Sequence, residues 1–84
     1  GETIDKPTLK VYPNPVSGIL NISWNNPGVF RQISIYNLIG NKIPLSGMSM
    51  TGNDLCINTS SWDPGVYMVK ITIGNKVYLN KIIK

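Results

Sequence analysis

The chain has 84 residues, of which 42% are hydrophobic and 14% charged, with a formal net charge of +4. That is enough for one domain with one core, and too little for a core plus a deep catalytic cleft. It is too apolar for a disordered tail and has no run near the ~20 apolar residues that span a bilayer; with no signal peptide and no initial Met, it reads as cytoplasmic or, preferably, as a piece of a larger precursor.

Residues 1–8, "GETIDKPT", read as a linker feeding the first strand, Leu9–Tyr12. Pro13 and Pro15 then fix two φ angles near −65° and remove two ladder donors, so "YPNP" must leave the strand. Ser17-Gly18 turns the chain into a second strand, Ile19–Trp24, where Leu20, Ile22 and Trp24 share one face. A turn at Asn25–Gly28 leads to a third strand, Phe30–Tyr36, with Ile33 and Ile35 on one face. A turn from Asn37 to Gly40 leads to a fourth, Lys42–Leu45. Residues 46–53, "SGMSMTGN", are small and polar and read as the most mobile loop. Asp54–Asn58 is the fifth strand, and its Cys56 reads as a small buried hydrophobe. Asp63-Pro64-Gly65 makes a tight turn in which Gly65 takes a positive φ. The sixth strand, Val66–Ile73, points Tyr67, Val69, Ile71 and Ile73 one way. Gly74-Asn75 is a two-residue hairpin turn. The seventh strand, Lys76–Ile83, points Val77 and Leu79 inward and then breaks parity at Ile82 and Ile83, which reads as a bulge or an end leaving the sheet.

Short alternating runs at this spacing predict an all-β, immunoglobulin-like β-sandwich of about seven antiparallel strands. No window carries a helical period long enough to matter.

The residues for catalysis are missing. There is no His, the usual acid–base partner. Glu2 and Asp5 lie in the linker, and Asp54 and Asp63 sit beside turns, where capping is their ordinary role. Metal-ligand sets for zinc or calcium are absent, as is a phosphate-cradling loop. The chain is not expected to be an enzyme and no cofactor is expected. Arg31 is the only arginine, and the lysines do not interleave with a stacking surface, so nucleic acid is not the expected partner. Trp24 reads as core; Trp62, in "SSWDPG", either covers one end of the sandwich or is exposed as a sugar-stacking platform.

The charge is lopsided. Through Asp63 the chain balances Lys6, Lys10, Arg31 and Lys42 against Glu2, Asp5, Asp54 and Asp63; beyond it there are only Lys70, Lys76, Lys81 and Lys84. The plain explanation is a solvated edge that resists pairing.

"VYPNPVSGILNISW", "ISIYNLIGNKI" and "WDPGVYMVKITIGNKVYLNKIIK", in this order, resemble the type A C-terminal sorting domain of type IX secretion cargo in Bacteroidetes. The residues that carry the likeness are Tyr12, Pro13, Asn14 and Pro15, the Tyr36–Gly40 turn, Gly65 and Tyr67, and Lys81, Ile82, Ile83 and Lys84. The resemblance covers Leu9–Lys84 and implies a secretion signal on a larger cargo. It implies transit through the periplasm, recognition by the outer-membrane translocation machinery, removal by a surface sortase within or beside residues 1–8, and cargo either anchored to lipopolysaccharide or released. On this reading the final hairpin is an exposed address, with unpaired edge groups and lysines. The alternative is an immunoglobulin-like accessory module that binds carbohydrate or a neighbouring domain of a surface enzyme.

Overall fold

The computed structural model describes residues 9–25 and 28–84. The linker reading of residues 1–8 and the middle of the Asn25–Gly28 turn lie outside the described residues. Seven strands follow in chain order: β1 (Leu9–Tyr12), β2 (Ile19–Trp24), β3 (Phe30–Asn37), β4 (Ser46–Thr51), β5 (Asp54–Asn58), β6 (Val66–Ile73) and β7 (Lys76–Ile83). All pairings are antiparallel, in one sheet of order β1-β2-β5-β4 and another of order β3-β6-β7. Lettered A to G in chain order, this is the ABED and CFG arrangement of constant-type immunoglobulin sandwiches.

The core follows from side-chain parity. β2 contributes Leu20, Ile22 and Trp24, and β5 contributes Leu55 and Ile57, with Ile22 opposite Leu55 and Leu20 opposite Ile57. The other sheet answers with Ile35, Val69, Ile71, Ile73 and Ile82, all buried. Each such aliphatic side chain contributes about 1.5–3 kcal/mol on burial. Trp24 is in this core and stacks on Phe30, with ring centroids 5.6 Å apart. The buried Thr59 is satisfied, because its Oγ1 and its N–H both donate to the Gly18 carbonyl, at 2.6 and 2.9 Å.

Three sequence expectations change. Lys42–Leu45 is not a strand: Lys42 makes an isolated bridge to Tyr36 and the Ile43 N–H donates to the Ile35 carbonyl at 2.7 Å. Pro44 has no N–H with which to extend that pairing. The fourth strand is instead the supposed loop at Ser46–Thr51, paired to β5 with a register shift between Ser46 and Ser49. Second, β7 has no bulge; it pairs with β6 without interruption from Ile73 opposite Lys76 to Val66 opposite Ile83. Its inward residue is Ile82, 1% exposed, while Val77 and Leu79 are 54% and 62% exposed. Third, Cys56 is only half-buried; its Sγ donates to Asn21 Oδ1 at 3.3 Å, away from the core.

Candidate recognition site

The E–F corner is built by the "WDPGVY" segment. Trp62 is buried and its ring lies 4.8 Å from that of Tyr67. The Tyr67 Oη donates to the Asp63 carbonyl at 2.5 Å. A tyrosine at the start of the sixth strand that bonds back a few residues upstream is the tyrosine corner of immunoglobulin sandwiches. Gly65 has φ 157°, positive but bordering on extended backbone. It closes the β6–β7 ladder, since the Lys84 N–H donates to the Gly65 carbonyl at 2.8 Å and the Gly65 N–H to the Lys84 carbonyl at 3.4 Å. Gly65 and Tyr67 therefore hold the end of β7 in place.

The outer edge of that same end is met by the proline turn. Tyr12 ends β1, 46% exposed, and its carbonyl accepts from Asn21 Nδ2 at 3.4 Å. Pro13 and Pro15 are exposed, and the Tyr12–Pro13 and Asn14–Pro15 bonds are both cis. Between them, Asn14 Oδ1 accepts from the Ile83 N–H at 2.9 Å, and Asn14 Nδ2 donates to the Lys81 carbonyl at 3.4 Å. The Val16 N–H donates to the Ile83 carbonyl at 2.8 Å, and Lys84 Nζ donates to the Ser17 carbonyl at 2.8 Å. Motifs nearly seventy residues apart in sequence are thus one structural unit, with |i−j| of 69 for the Asn14–Ile83 bond.

Of the ten residues named from sequence, Tyr12, Pro13, Asn14, Pro15, Gly65, Lys81 and Ile83 are exposed, Lys84 is half-buried, and Tyr67 and Ile82 are buried. The end of β7 is not a free pairing edge, as the sequence reading had it: Lys81 and Ile83 already bond Asn14 and Val16. Sequence reasoning passed over Val16, which is 2% exposed and bonds Ile83, and Ser17, which takes the lysine. It also placed Val77 and Leu79 on the wrong face.

The outward face of the three-stranded sheet carries Met68, Val77, Leu79 and Ile83, each at least 38% exposed, interleaved with Lys70 and Lys81. Leu38 and Ile39, at 79% and 80% exposure, project from the turn after β3. Both tryptophans are at most 7% exposed, so neither offers the flat platform on which carbohydrate would stack. Among the described residues, no helix is long and apolar enough to cross a membrane.

The model of a secretion system C-terminal sorting domain matches residues 10–84. No curated protein and no solved structure matches the chain.

Proposed function

Because the chain belongs to the family of secretion system C-terminal sorting domains, a non-catalytic signal class of the type IX pathway, we propose that it escorts a larger N-terminal cargo through the periplasm and across the outer membrane. The translocation machinery of that membrane reads the domain. A surface sortase then removes it within or beside residues 1–8, and the cargo is anchored to lipopolysaccharide or released. The observation that carries this reading is the family match along nearly the whole chain. The site supports it: Lys81, Ile83 and Lys84 are held at a fixed, accessible place by Asn14, Gly65 and the Tyr67 corner. Lysines without acidic neighbours in sequence steer acidic receptor surfaces toward that place. Tyr12, Pro13 and Pro15 belong to the recognised element as the frame that presents Asn14, and Ile82 anchors it to the core.

The test is a fusion of residues 1–84 behind a periplasmic reporter with a signal peptide, expressed in a bacterium that has type IX secretion. The reporter should reach the surface or the medium with the domain removed. Its new C-terminus, read by mass spectrometry, should fall within or beside residues 1–8. A folded, intact fusion that stays in the periplasm overturns the sorting role, and a cut inside the sandwich overturns the cleavage step alone.

A further inference from the structure

We propose that Asn14 decides where on β7 a partner strand adds: it closes the outer edge at Lys81–Ile83 and leaves Val77–Leu79 open to an extended, carboxylate-bearing segment of the partner. This rests on the sorting reading and assigns it a place on the molecule.

A primary amide carries the same donor and acceptor as a peptide group. In a parallel ladder, one residue donates to the carbonyl before its partner and accepts from the N–H after it, and the residue two further on donates next. Asn14 Nδ2 to the Lys81 carbonyl, the Ile83 N–H to Asn14 Oδ1, and the Val16 N–H to the Ile83 carbonyl reproduce that sequence around Ile82. Pro13 and Pro15 have no N–H, so this segment cannot build the ladder from backbone alone; the Asn14 side chain supplies the missing rung.

The parity of β7 then locates what is left. Ile83 bonds outward and Lys84 bonds inward to Gly65, and the β6–β7 register is unbroken. The N–H and C=O groups of Val77 and Leu79 therefore point outward with Ile83's, and no described residue pairs with them. The other edges are blunted in ways known to discourage strand addition. β1 has four residues, β4 has a register shift, and β3 is covered by the Lys42 bridge and Ile43. The Val77–Leu79 edge is regular and apolar on its outward face. Lys76 flanks it, Lys70 stands opposite Leu79, and Lys81 follows. No acidic residue lies between positions 64 and 84. A partner strand with carboxylates matches that charge, whereas a second copy of this edge would set lysines against lysines.

Hydrogen exchange on the 84-residue domain tests the clamp. The Ile83 amide should be protected and those of Val77 and Leu79 should exchange rapidly. Asn14→Ala should lower Ile83 protection by ~10-fold or more while the Tyr78, Asn80 and Ile82 amides hold. Asn14→Asp, which keeps the acceptor and loses the donor, should fall between. Unchanged Ile83 protection in Asn14→Ala, or Leu79 as protected as Ile83 in the parent, overturns the clamp. Export tests the open edge. Leu79→Pro removes the outward N–H and the exposed Leu79 side chain but no bond to β6, and in a variant whose β6–β7 amides stay protected export should drop at least ~10-fold. Lys70→Glu with Lys81→Glu alters no backbone bond and should lower export likewise. Parental export by a folded Leu79→Pro, or by the double charge reversal, overturns the edge assignment. A dimer in sedimentation that Leu79→Pro abolishes overturns the carboxylate partner in favour of a second copy. If the parental fusion itself is not exported, it is the sorting reading that fails, and the exchange result still stands.

Discussion

Gly28 and Gly65 both have positive φ, yet they differ in what a side chain would meet. At Gly28, φ is 105° and an added Cβ would lie 2.7 Å from Gly74 Cα, where the Gly74 N–H donates to the Val29 carbonyl at 2.7 Å. Neither turn backbone can retreat without losing that bond. Gly28→Ala should therefore destabilise the domain by ~2–3 kcal/mol in chemical denaturation. Gly65 has φ 157° and nothing within 4 Å of the added atom, so Gly65→Ala meets backbone strain without a clash and should cost less than Gly28→Ala, ~1–2 kcal/mol. Equal losses at the two sites would show that conformation, rather than the clash at Gly28, sets the cost. Tyr67→Phe removes the half-buried hydroxyl that bonds the Asp63 carbonyl, a loss of ~1 kcal/mol; an unchanged midpoint would mean the corner bond is idle. Trp24→Ala should cost ~3–5 kcal/mol, as for a large core ring.

At the level of the element, the last strand serves two purposes that pull its residues apart. Ile82 belongs to the core while Lys81, Ile83 and Lys84 face the surface or the Asn14 turn. Removing Lys81–Lys84 therefore deletes a core side chain, the last pairs with β6 and the Asn14 rung together. That truncation should lose ~2–5 kcal/mol for Ile82 alone, so an export defect in it would not separate signal from fold. Lys81→Gln with Lys84→Gln keeps all of the backbone pairing. It should stay within ~1 kcal/mol of the parent in urea denaturation, and any export loss it shows belongs to the two charges and the Lys84–Ser17 bond rather than to the backbone ladder. β4 is the opposite case. Its six residues are all exposed and the backbone ladder to β5 holds it. Met48→Ser with Met50→Ser should consequently leave the midpoint within ~0.5 kcal/mol of the parent.

Across the whole molecule, the ABED and CFG order makes cooperativity a consequence of topology. Consecutive strands sit in different sheets at β2–β3, β3–β4 and β5–β6, so no half of the chain builds a core alone. Trp24 lies beside the β3 start and Trp62 beside the β6 start, at opposite ends of the sandwich, and they report on the two ends separately. Unfolding followed by Trp62 fluorescence in Trp24→Phe, and by far-UV circular dichroism in the same variant, should give one midpoint. Separate transitions would show that the Asn14–β7 end opens independently of the rest.

What the residues determined by themselves is what local physics controls. Alternation in "ILNISW" and "VYMVKITI" placed the core faces of β2 and β6, and the proline and glycine turns placed most strand ends, because period-two burial and fixed φ angles are written in adjacent residues. The order of the motifs likewise carried the family. β4 was illegible because "SGMSMT" buries no side chain and so leaves no alternation; only its partner β5 makes it a strand. The face of β7 was legible but misread: a two-residue hairpin at Gly74-Asn75 sets Tyr78, Asn80 and Ile82 opposite Ile71, Val69 and Tyr67 and hence inward, whereas local hydrophobicity favoured Val77 and Leu79. The meeting of Asn14 with Lys81 and Ile83 belonged to the tertiary structure alone. A side-chain amide can replace a ladder rung only when two segments far apart in the chain arrive edge to edge, and it is the packing of one sheet on the other that brings them there.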